Sequence, residues 1–459
     1  MLRSEYIFEY PKDANVTIVE NGPKDQIKKS CAPQGDYIRC TTVRENIPVF
    51  IPEPQNSSPN ELIPNIQIYY NYDWNTVISS LAETISRQTR MTPYIQKYYE
   101  KLGVPESNST WEHARAIYDS VIDSIHESES VRNTDEDSAT NTVTRGIGSR
   151  MVTLKALYDL AGFESYFALV RSVTAMKGSE TLPAQYDNSY ATMLIVETEK
   201  GPAYVQPSED YVPFDYLGND FQNQTVIPLN GREQYLSRTN DKEAMRALIN
   251  ISYDISADGT AKAKSEEIIQ GTRALVMRNF LTMFKHDPDK AELVVENNLA
   301  NSYGRVALTR LENQNLDDKN QPLILQYDFD IPNFADESDN SLNIISKIFA
   351  YNLVAQLAQL APEQRKYPLI VTNDILSART LTFHAPENFT WDLSTIRDVS
   401  IDTQFGKYSR QSHLDGKDLK IAEKIELLPQ RVETEDYAAF RNFCLSVDEA
   451  QKIIISAHH

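Results

Sequence analysis

The pattern of hydrophobic and polar positions divides the chain into three stretches, the first of which ends near residue 72. In this stretch, short apolar runs and alternating apolar positions predict strands at 6–10, 16–19 and 66–70, with a hairpin over 31–40. The pattern therefore predicts a β-rich start to the chain.

The second stretch opens with helical periodicity. Apolar residues recur mostly every three to four positions over 111–127, which predicts a helix with one apolar face. Ser109 or Thr110 is placed to cap its first turn. A further helical segment is predicted over 77–102.

A helix predicted over 149–161 precedes two largely apolar runs. Gly162 suits the position just past the end of this helix, where a left-handed backbone is common. The runs 163–173 and 190–197 are mostly apolar, which is typical of strands covered on both faces.

From about residue 231 onward, strands and helices alternate. Strands at 249–256 and 260–269 are predicted to form a hairpin around Asp258-Gly259. The other predicted elements are helices at 272–284, 290–298, 342–360 and 434–453, and strands at 306–311, 323–329, 367–372 and 419–428.

Composition and charge exclude several classes of protein. A chain of 459 residues with 41% hydrophobic and 10% aromatic residues is long enough for two to four domains and can build a sizeable core. Its net charge of −20 argues against a nucleic-acid or anionic-membrane partner, because phosphate binding needs clustered Lys and Arg.

The sequence predicts neither a membrane span nor a retained secretory signal. No apolar run approaches the roughly 20 residues that cross a bilayer. The first residues lack the apolar segment of a signal peptide, so the protein is either cytoplasmic or exported after removal of a signal.

The three cysteines bear on this choice of compartment. A two-residue turn at Gly35-Asp36 would place Cys31 opposite Cys40 in a non-hydrogen-bonded pair, where Cα atoms lie about 4.5 Å apart and a disulfide fits. The alternative is two reduced, buried cysteines. We favour the disulfide, which would indicate an oxidising compartment such as the periplasm or cell surface. Cys444 is expected in a helical core.

The middle stretch contains residues that point to a known family. Arg145-Gly146 precede the predicted helix, Thr-Leu-Lys-Ala-Leu at 153–157 lies within it, and Ala-Gly-Phe-Glu-Ser-Tyr-Phe-Ala-Leu-Val-Arg at 161–171 follows it. Together with the order helix, strand, loop, strand, turn, strand, these residues resemble the transglutaminase-like core of the papain-type cysteine hydrolases.

More narrowly, the chain resembles bacterial multi-domain proteins that have this core between β-rich domains. The resemblance implies an α+β fold with a transglutaminase-like core flanked by sandwich-like domains. It predicts an N-terminal β-rich domain at 1–72, short as if its start were missing, the core at 73–230, and a C-terminal β-rich domain with helices at 231–459.

Active relatives have a Cys-His-Asp triad, with the cysteine in a Gly-Asp-Cys-Lys-Asp type motif at the helix start. Here that turn reads Gly-Ile-Gly-Ser-Arg at 146–150, so the nucleophile position falls on Gly148. The histidine position falls near Asn188 or Thr192, and the aspartate position on Gln206 before Pro207.

A different alignment with the active relatives does not restore the catalytic cysteine or histidine. The sequence contains no cysteine between Cys40 and Cys444 and no histidine between His126 and His286. The resemblance therefore implies a pseudoenzyme with no catalytic residue. We expect a relic site lined by Gly148, Ser149, Arg150, Asn188, Thr192 and Gln206.

Two residues of the relic site have alternative interpretations. Ser149 is either a nucleophile or, much more commonly, an N-cap whose hydroxyl accepts a backbone hydrogen bond. Arg150 either binds a carboxylate ligand or forms a salt bridge within the protein.

We expect neither a metal nor a cofactor. His113 and His126 lie thirteen residues apart, too far for a shared metal on one helix. The acidic segment 133–137 lacks the sixth-position glycine and closing glutamate of a calcium loop.

Three functional hypotheses remain. The leading one is a non-catalytic protein of the bacterial cell envelope that binds a protein or peptide partner. The second is a glycan-binding envelope module, for which 25 tyrosines and three tryptophans offer stacking faces. The third is a hydrolase or transferase with an unrecognised active site.

Overall fold

The computed structural model describes residues 3–22, 27–46, 49–70, 73–105, 107–128, 138–178, 190–238, 246–338, 340–345, 351–358 and 364–459. The chain has an α+β fold and forms two compact units. Unit 1 comprises residues 1–210, 214–239 and 366–370, and unit 2 comprises 211–213, 240–365 and 371–459. The predicted domain limits at 72/73 and 230/231 stay predictions.

The strands up to residue 238 belong to unit 1. They are β1 (Arg3–Pro11), β2 (Val16–Asn21), β3 (Lys28–Gln34), β4 (Tyr37–Glu45), β5 (Asn65–Tyr70), β6 (His126–Glu127), β7 (Ile147–Gly148), β8 (Ser165–Arg171), β9 (Tyr190–Thr198), β10 (Gly201–Val205), β11 (Thr225–Pro228) and β12 (Tyr235–Leu236). The helices of this part are α1 (Pro59–Leu62), α2 (Trp74–Gln88), α3 (Pro93–Leu102), α4 (Thr110–Ser124), α5 (Ala139–Arg145) and α6 (Arg150–Leu160), with a 3-10 turn at Asn219–Phe221.

Two small sheets lie at the start of unit 1. Strands β1, β4 and β3 form an antiparallel sheet in that order, and β2 pairs with β5. The hairpin has the predicted register, which places Cys31 opposite Cys40, and the two cysteines form a disulfide with Cα atoms 4.1 Å apart.

A five-stranded sheet, β10-β9-β8-β11-β12, is the centre of unit 1. Alternate residues of β8 and β9 pack into two different clusters, one with helices α4 and α6 and one on the opposite face. The prediction of strands covered on both faces is therefore confirmed. Ser109 is the N-cap of α4, and its Oγ accepts a hydrogen bond from the backbone N–H of Glu112.

The helical segment predicted over 77–102 is two helices. Helix α2 ends at Gln88, and α3 begins at Pro93. Proline lacks the N–H that a continuous helix needs and disfavours helical geometry in the residue before it, so the helix is interrupted there.

The remaining elements lie beyond residue 245. The strands are β13 (Ala247–Ile255), β14 (Ala261–Ile269), β15 (Ala307–Gln314), β16 (Leu323–Ile331), β17 (Asp336–Ser338), β18 (Ser341–Ile345), β19 (Leu369–Val371), β20 (Ile375–His384), β21 (Thr390–Asp392), β22 (Val399–Asp402), β23 (Gly406–Asp415), β24 (Asp418–Leu427), β25 (Gln430–Val432) and β26 (Ile454–His458). The helices are α7 (Gly271–Met283), α8 (Pro288–Tyr303) and α9 (Tyr437–Ala450), with a 3-10 turn at Leu393–Thr395 and a π-helical turn at Val354–Ala358.

Unit 2 is built on an eight-stranded sheet in the order β15-β16-β14-β13-β20-β24-β23-β22. Strands β13 and β20 are parallel, and the other neighbours in the sheet are antiparallel. One face packs into a core that includes residues of α7 and α8. The other face is mainly polar, as expected of an antiparallel sheet with one face in water.

The predicted helix over 342–360 is wrong at its start, where Ser341–Ile345 forms strand β18 between β17 and β26. A short apolar run fits either state, and pairing with the distant β26 decides it. Strand β20, at the centre of the large sheet, was not predicted. Within the residues that the structure describes, no helix has the length and apolar character of a membrane span.

Candidate functional site

The turn that contains Gly148, the nucleophile position expected from the family resemblance, lies between α5 and α6. Helix α5 ends at Arg145, and its C-cap Gly146 has a left-handed backbone with φ of 70°. The next two residues form strand β7, which pairs in parallel with His126 and Glu127 of β6. This pairing fixes Gly148 directly before the first turn of α6.

Gly148 has a backbone that leaves no room for a side chain. Its φ is 150°, a conformation that L-residues rarely adopt, and an added Cβ would lie 2.3 Å from Thr142 Oγ1. Thr142 is itself fully buried. A cysteine at this position would therefore need the turn and its neighbour to move.

Ser149 is the N-cap of α6. Its side chain is buried, and Oγ accepts a hydrogen bond of 3.2 Å from the backbone N–H of Val152. The structure thus shows the capping interaction, which satisfies one of the free donors of the first turn.

A carboxylate of the chain lies at the same helix start. Glu127 Oε2 accepts a hydrogen bond of 2.9 Å from the backbone N–H of Arg150, the first residue of α6. In an active thiol enzyme, the free N–H groups and dipole of such a helix stabilise a thiolate. Here an internal anion binds one of those donors.

Arg150 has a structural role. Its side chain is only 2% exposed, and its Nε and Nη2 donate to the carbonyls of Ile125 and Ile122, at 2.7 and 3.2 Å, at the end of α4. Nη2 also forms an ion pair with Asp210. A cation at a helix C-terminus binds carbonyls that the helix leaves unpaired.

Three other positions were predicted to line the relic site: Thr192, Gln206 and Asn188. Thr192 is exposed on β9, opposite Leu169 and on the helix-facing side of the sheet with Leu194. Gln206 follows β10, and its Oε1 lies 3.9 Å from the position of a Cβ on Gly218, next to Leu217 of the opposite cluster. Thr192 and Gln206 therefore lie on opposite faces. Asn188 lies outside the described residues.

Two residues of this site, Thr142 and Glu127, were missed by the sequence analysis. Thr142 lies near Gly148 because it is in the last turn of α5. Glu127 lies opposite Gly148 because β6 and β7 form a two-residue parallel pairing. A pairing this short has no periodicity, so the sequence contains no signal for it. The acidic motif 133–137 lies outside the described residues.

Other chemical roles for this turn would involve the titratable side chains near it in the described part of the chain. Lys155, six residues after Ser149 on α6, forms an ion pair of 2.5 Å with Asp159 one helical turn further on. Within the described ranges, no three His, Cys, Asp or Glu side chains come together as a set of metal ligands.

Comparison with known proteins gives a fold and one matched domain. Residues 341–456 match a family profile described as a domain of unknown function with a solved structure, DUF3858. No curated protein matches the chain. The chain is similar to the crystal structure of "a putative protease" from Parabacteroides distasonis, with a TM-score of 0.58 and 12% identity over 100% of this chain and 72% of that one.

A second solved structure, "a putative cysteine protease" from Cytophaga hutchinsonii, has a TM-score of 0.23 and 10% identity over 50% of this chain and 76% of that one. This likeness is too low to support an argument. The chain thus shares its α+β fold with the Parabacteroides protein, and at 12% identity the likeness is one of fold alone.

Proposed function

We propose that this chain is a non-catalytic transglutaminase-like protein that binds an extended peptide segment of a partner protein in the bacterial cell envelope. The main support for the first part is Gly148. The nucleophile position has no side chain, and the buried Thr142 occupies the space that a Cβ would need.

The surroundings of Gly148 agree with a loss of catalysis. Glu127 binds the N–H of Arg150, and Ser149 caps the helix with its only side-chain oxygen. A hydroxyl nucleophile needs a nearby base, and the sequence has no histidine between His126 and His286. His126 lies on β6, with its backbone paired to Ile147.

Peptide binding is supported by the free edge of β1. In the described part of unit 1, β1 pairs with β4 alone, and most of its residues are exposed. The hairpin register directs the backbone groups of Tyr6, Phe8 and Tyr10 toward β4, so those of Glu5, Ile7 and Glu9 point to the free edge. An extended peptide can add to such an edge as a new strand.

The two edges of this sheet differ in their protection. Strand β3 contains Lys28, Lys29 and Pro33, residue types that discourage further pairing. Strand β1 has instead the exposed Tyr6 and Ile7, with exposed fractions of 58% and 45%. The β1 edge is therefore the better acceptor of another strand.

The side chains beside this edge favour a peptide with apolar residues at every second position. Tyr6, Phe8 and Tyr10 form a row with ring centroids 5.8 and 6.3 Å apart. Tyr6 also lines a cavity of about 490 Å³ together with Arg44, Pro64 and Ile66. Alternate side chains of an added strand would contact this row and the cavity.

Charge argues for a basic peptide rather than a second copy of the chain. The carboxylates on β1 form ion pairs within the chain, Glu5 with Arg3 and Glu9 with Arg39, so the preference for a basic peptide rests on the charge of the whole chain. The whole chain has a net charge of −20, which attracts a cationic peptide and opposes pairing between two copies.

The disulfide supports the envelope location. Disulfides persist in oxidising compartments and are rare in the cytosol, and Cys31 and Cys40 are bonded in the hairpin next to the proposed peptide edge.

The test of peptide binding is a substitution that alters only the free edge. Peptides are selected from a displayed library on the immobilised chain, and their affinity is measured by fluorescence polarisation. Ile7→Pro removes one outward N–H and leaves the β1–β4 hydrogen bonds in place, so we expect affinity to fall about tenfold or more.

The matched control is Ile7→Val, which keeps the N–H and the β-branched shape and should bind like the wild type. Equal affinity of the Ile7→Pro and wild-type chains would overturn the proposed edge. Failure to select any peptide would count against peptide binding itself.

A further inference from the structure

The polar face of the eight-stranded sheet in unit 2 has a trough along its centre. Its floor lies on β13 and β20, where outward-facing residues align in register and none is longer than leucine or asparagine, and it extends to Ala422 of β24. The floor consists of Leu248, Asn250, Ser252, Ala378, Thr380, Thr382 and Ala422. Five residues along a strand give a floor roughly 13 Å long, at about 3.3 Å per residue.

Longer side chains flank this floor on both sides. Lys264, Glu266, Gln326 and Asp328 project from β14 and β16, where Glu266 lies opposite Gln326 and Lys264 opposite Asp328. Lys420 and Lys424 project from β24. A cavity of about 470 Å³ lies over the floor, with Asn250, Ser252, Thr380, Thr382 and Arg310 in its lining.

The charges of the walls nearly cancel. Arg310 pairs with Glu312 at 2.6 Å, Lys420 with Asp415 at 2.5 Å and Lys424 with Glu426 at 2.7 Å. Gln326 Nε2 donates to Glu266 Oε2 at 2.8 Å. In a chain of net charge −20, this face is locally close to neutral and selects neither a polyanion nor a polycation.

Besides its charged side chains, the cavity is lined by hydroxyls and amides. Asn250 and Gln326 offer both a donor and an acceptor, and Ser252, Thr380 and Thr382 have hydroxyls that do the same. An uncharged, polyhydroxylated ligand matches this inventory, because each of its hydroxyls also donates and accepts. A solvated sheet face needs only polar residues and does not require short ones between longer walls.

We propose that this trough binds an uncharged oligosaccharide along strands β13 and β20. The site lies within the second unit and uses none of the residues of the relic site or of the β1 edge. It is therefore independent of the proposed peptide binding.

The test is isothermal titration of the full chain with soluble uncharged hexasaccharides: cello-, laminari-, xylo-, manno- and maltohexaose and N-acetylchitohexaose. We expect saturable binding of at least one of them. Asn250→Leu combined with Thr380→Val keeps side-chain size and removes hydrogen-bonding groups from the floor, and should weaken binding about tenfold or more.

The matched control is Ser400→Val, an exposed position on edge strand β22 of the same sheet, which should bind like the wild type. Absence of binding to every member of the panel would overturn the proposal. So would a floor variant that binds as tightly as the wild type. Ile7→Pro should leave saccharide affinity unchanged, which separates the two proposals.

Discussion

At the residue scale, two independent features of Gly148 exclude a side chain: its φ of 150° and the Oγ1 of Thr142 in the space that a Cβ would fill. Gly148→Ala should lower the free energy of unfolding, since backbone strain costs roughly 1–3 kcal/mol and overlap in a packed site adds roughly 1–3 kcal/mol. Urea denaturation of the two proteins measures the difference.

A second substitution separates overlap from strain. Thr142 Oγ1 is buried and has no hydrogen-bond partner among the described residues, so Thr142→Ala alone should be close to neutral. In the double variant, Thr142→Ala should relieve the overlap and restore the stability that Gly148→Ala loses through it. The expected coupling energy between the two substitutions is roughly 0.5–3 kcal/mol. Additive effects of the two substitutions would show that the contact is absent.

At the element scale, the turn between β9 and β10 caps helix α4. Glu199 Oε2 accepts from the backbone N–H of Trp111 at 2.8 Å, and its carboxylate also accepts from the hydroxyls of Ser109 and Thr110. The hydrogen bonds from Ser109 and Thr110 lower the pKa of Glu199 from 4.5 to about 2. The charged form is therefore the one that the fold stabilises.

This pKa gives a pH dependence with a definite sign. A carboxyl whose folded pKa is lowered contributes stability that is fully present above about 4.5 and is lost as the pH falls toward 2. Glu199→Gln should therefore be less stable than the wild type at pH 7, by a margin that shrinks between pH 5 and 3. The urea midpoints of both proteins across this range test it, and a constant margin would contradict it.

The disulfide between Cys31 and Cys40 joins the two strands of the β3–β4 hairpin, and counting reactive thiols tests whether it forms. The chain has three cysteines, and Cys444 is buried in α9, where burial raises its thiol pKa to about 12. Protein purified without reductant should show one reactive thiol per chain in denaturant and three after reduction. Three thiols without reductant would contradict the disulfide and weaken the envelope location.

Elements whose structure depends on residues close together in the sequence could be predicted. The cap at Ser109 and the strands around 163–173 and 190–197 follow from local pattern, and the structure has them. The parallel pairing of β13 with β20 joins residues more than a hundred positions apart, and nothing in a single sequence reports it. The same reason hid Glu127, because its contact with Arg150 depends on β6 meeting β7.

At the scale of the whole molecule, the two proposed binding surfaces lie in different units. The strand edge and the turn at Gly148 belong to the first unit, and the polar trough belongs to the second. The fold is shared with a structure described as a putative protease, at 12% identity, and a shared fold does not decide function. The proposed absence of catalysis therefore rests on the residues around Gly148.

The most direct test is turnover by the wild-type chain and by Ser149→Asn, on fluorogenic peptide substrates and in a glutamine–amine transfer assay. Asparagine keeps an acceptor for the helix cap and removes the hydroxyl. We predict rates equal to the buffer blank for both. Saturable turnover by the wild type would contradict the proposed loss of catalysis, and its disappearance in Ser149→Asn would identify Ser149 as the nucleophile.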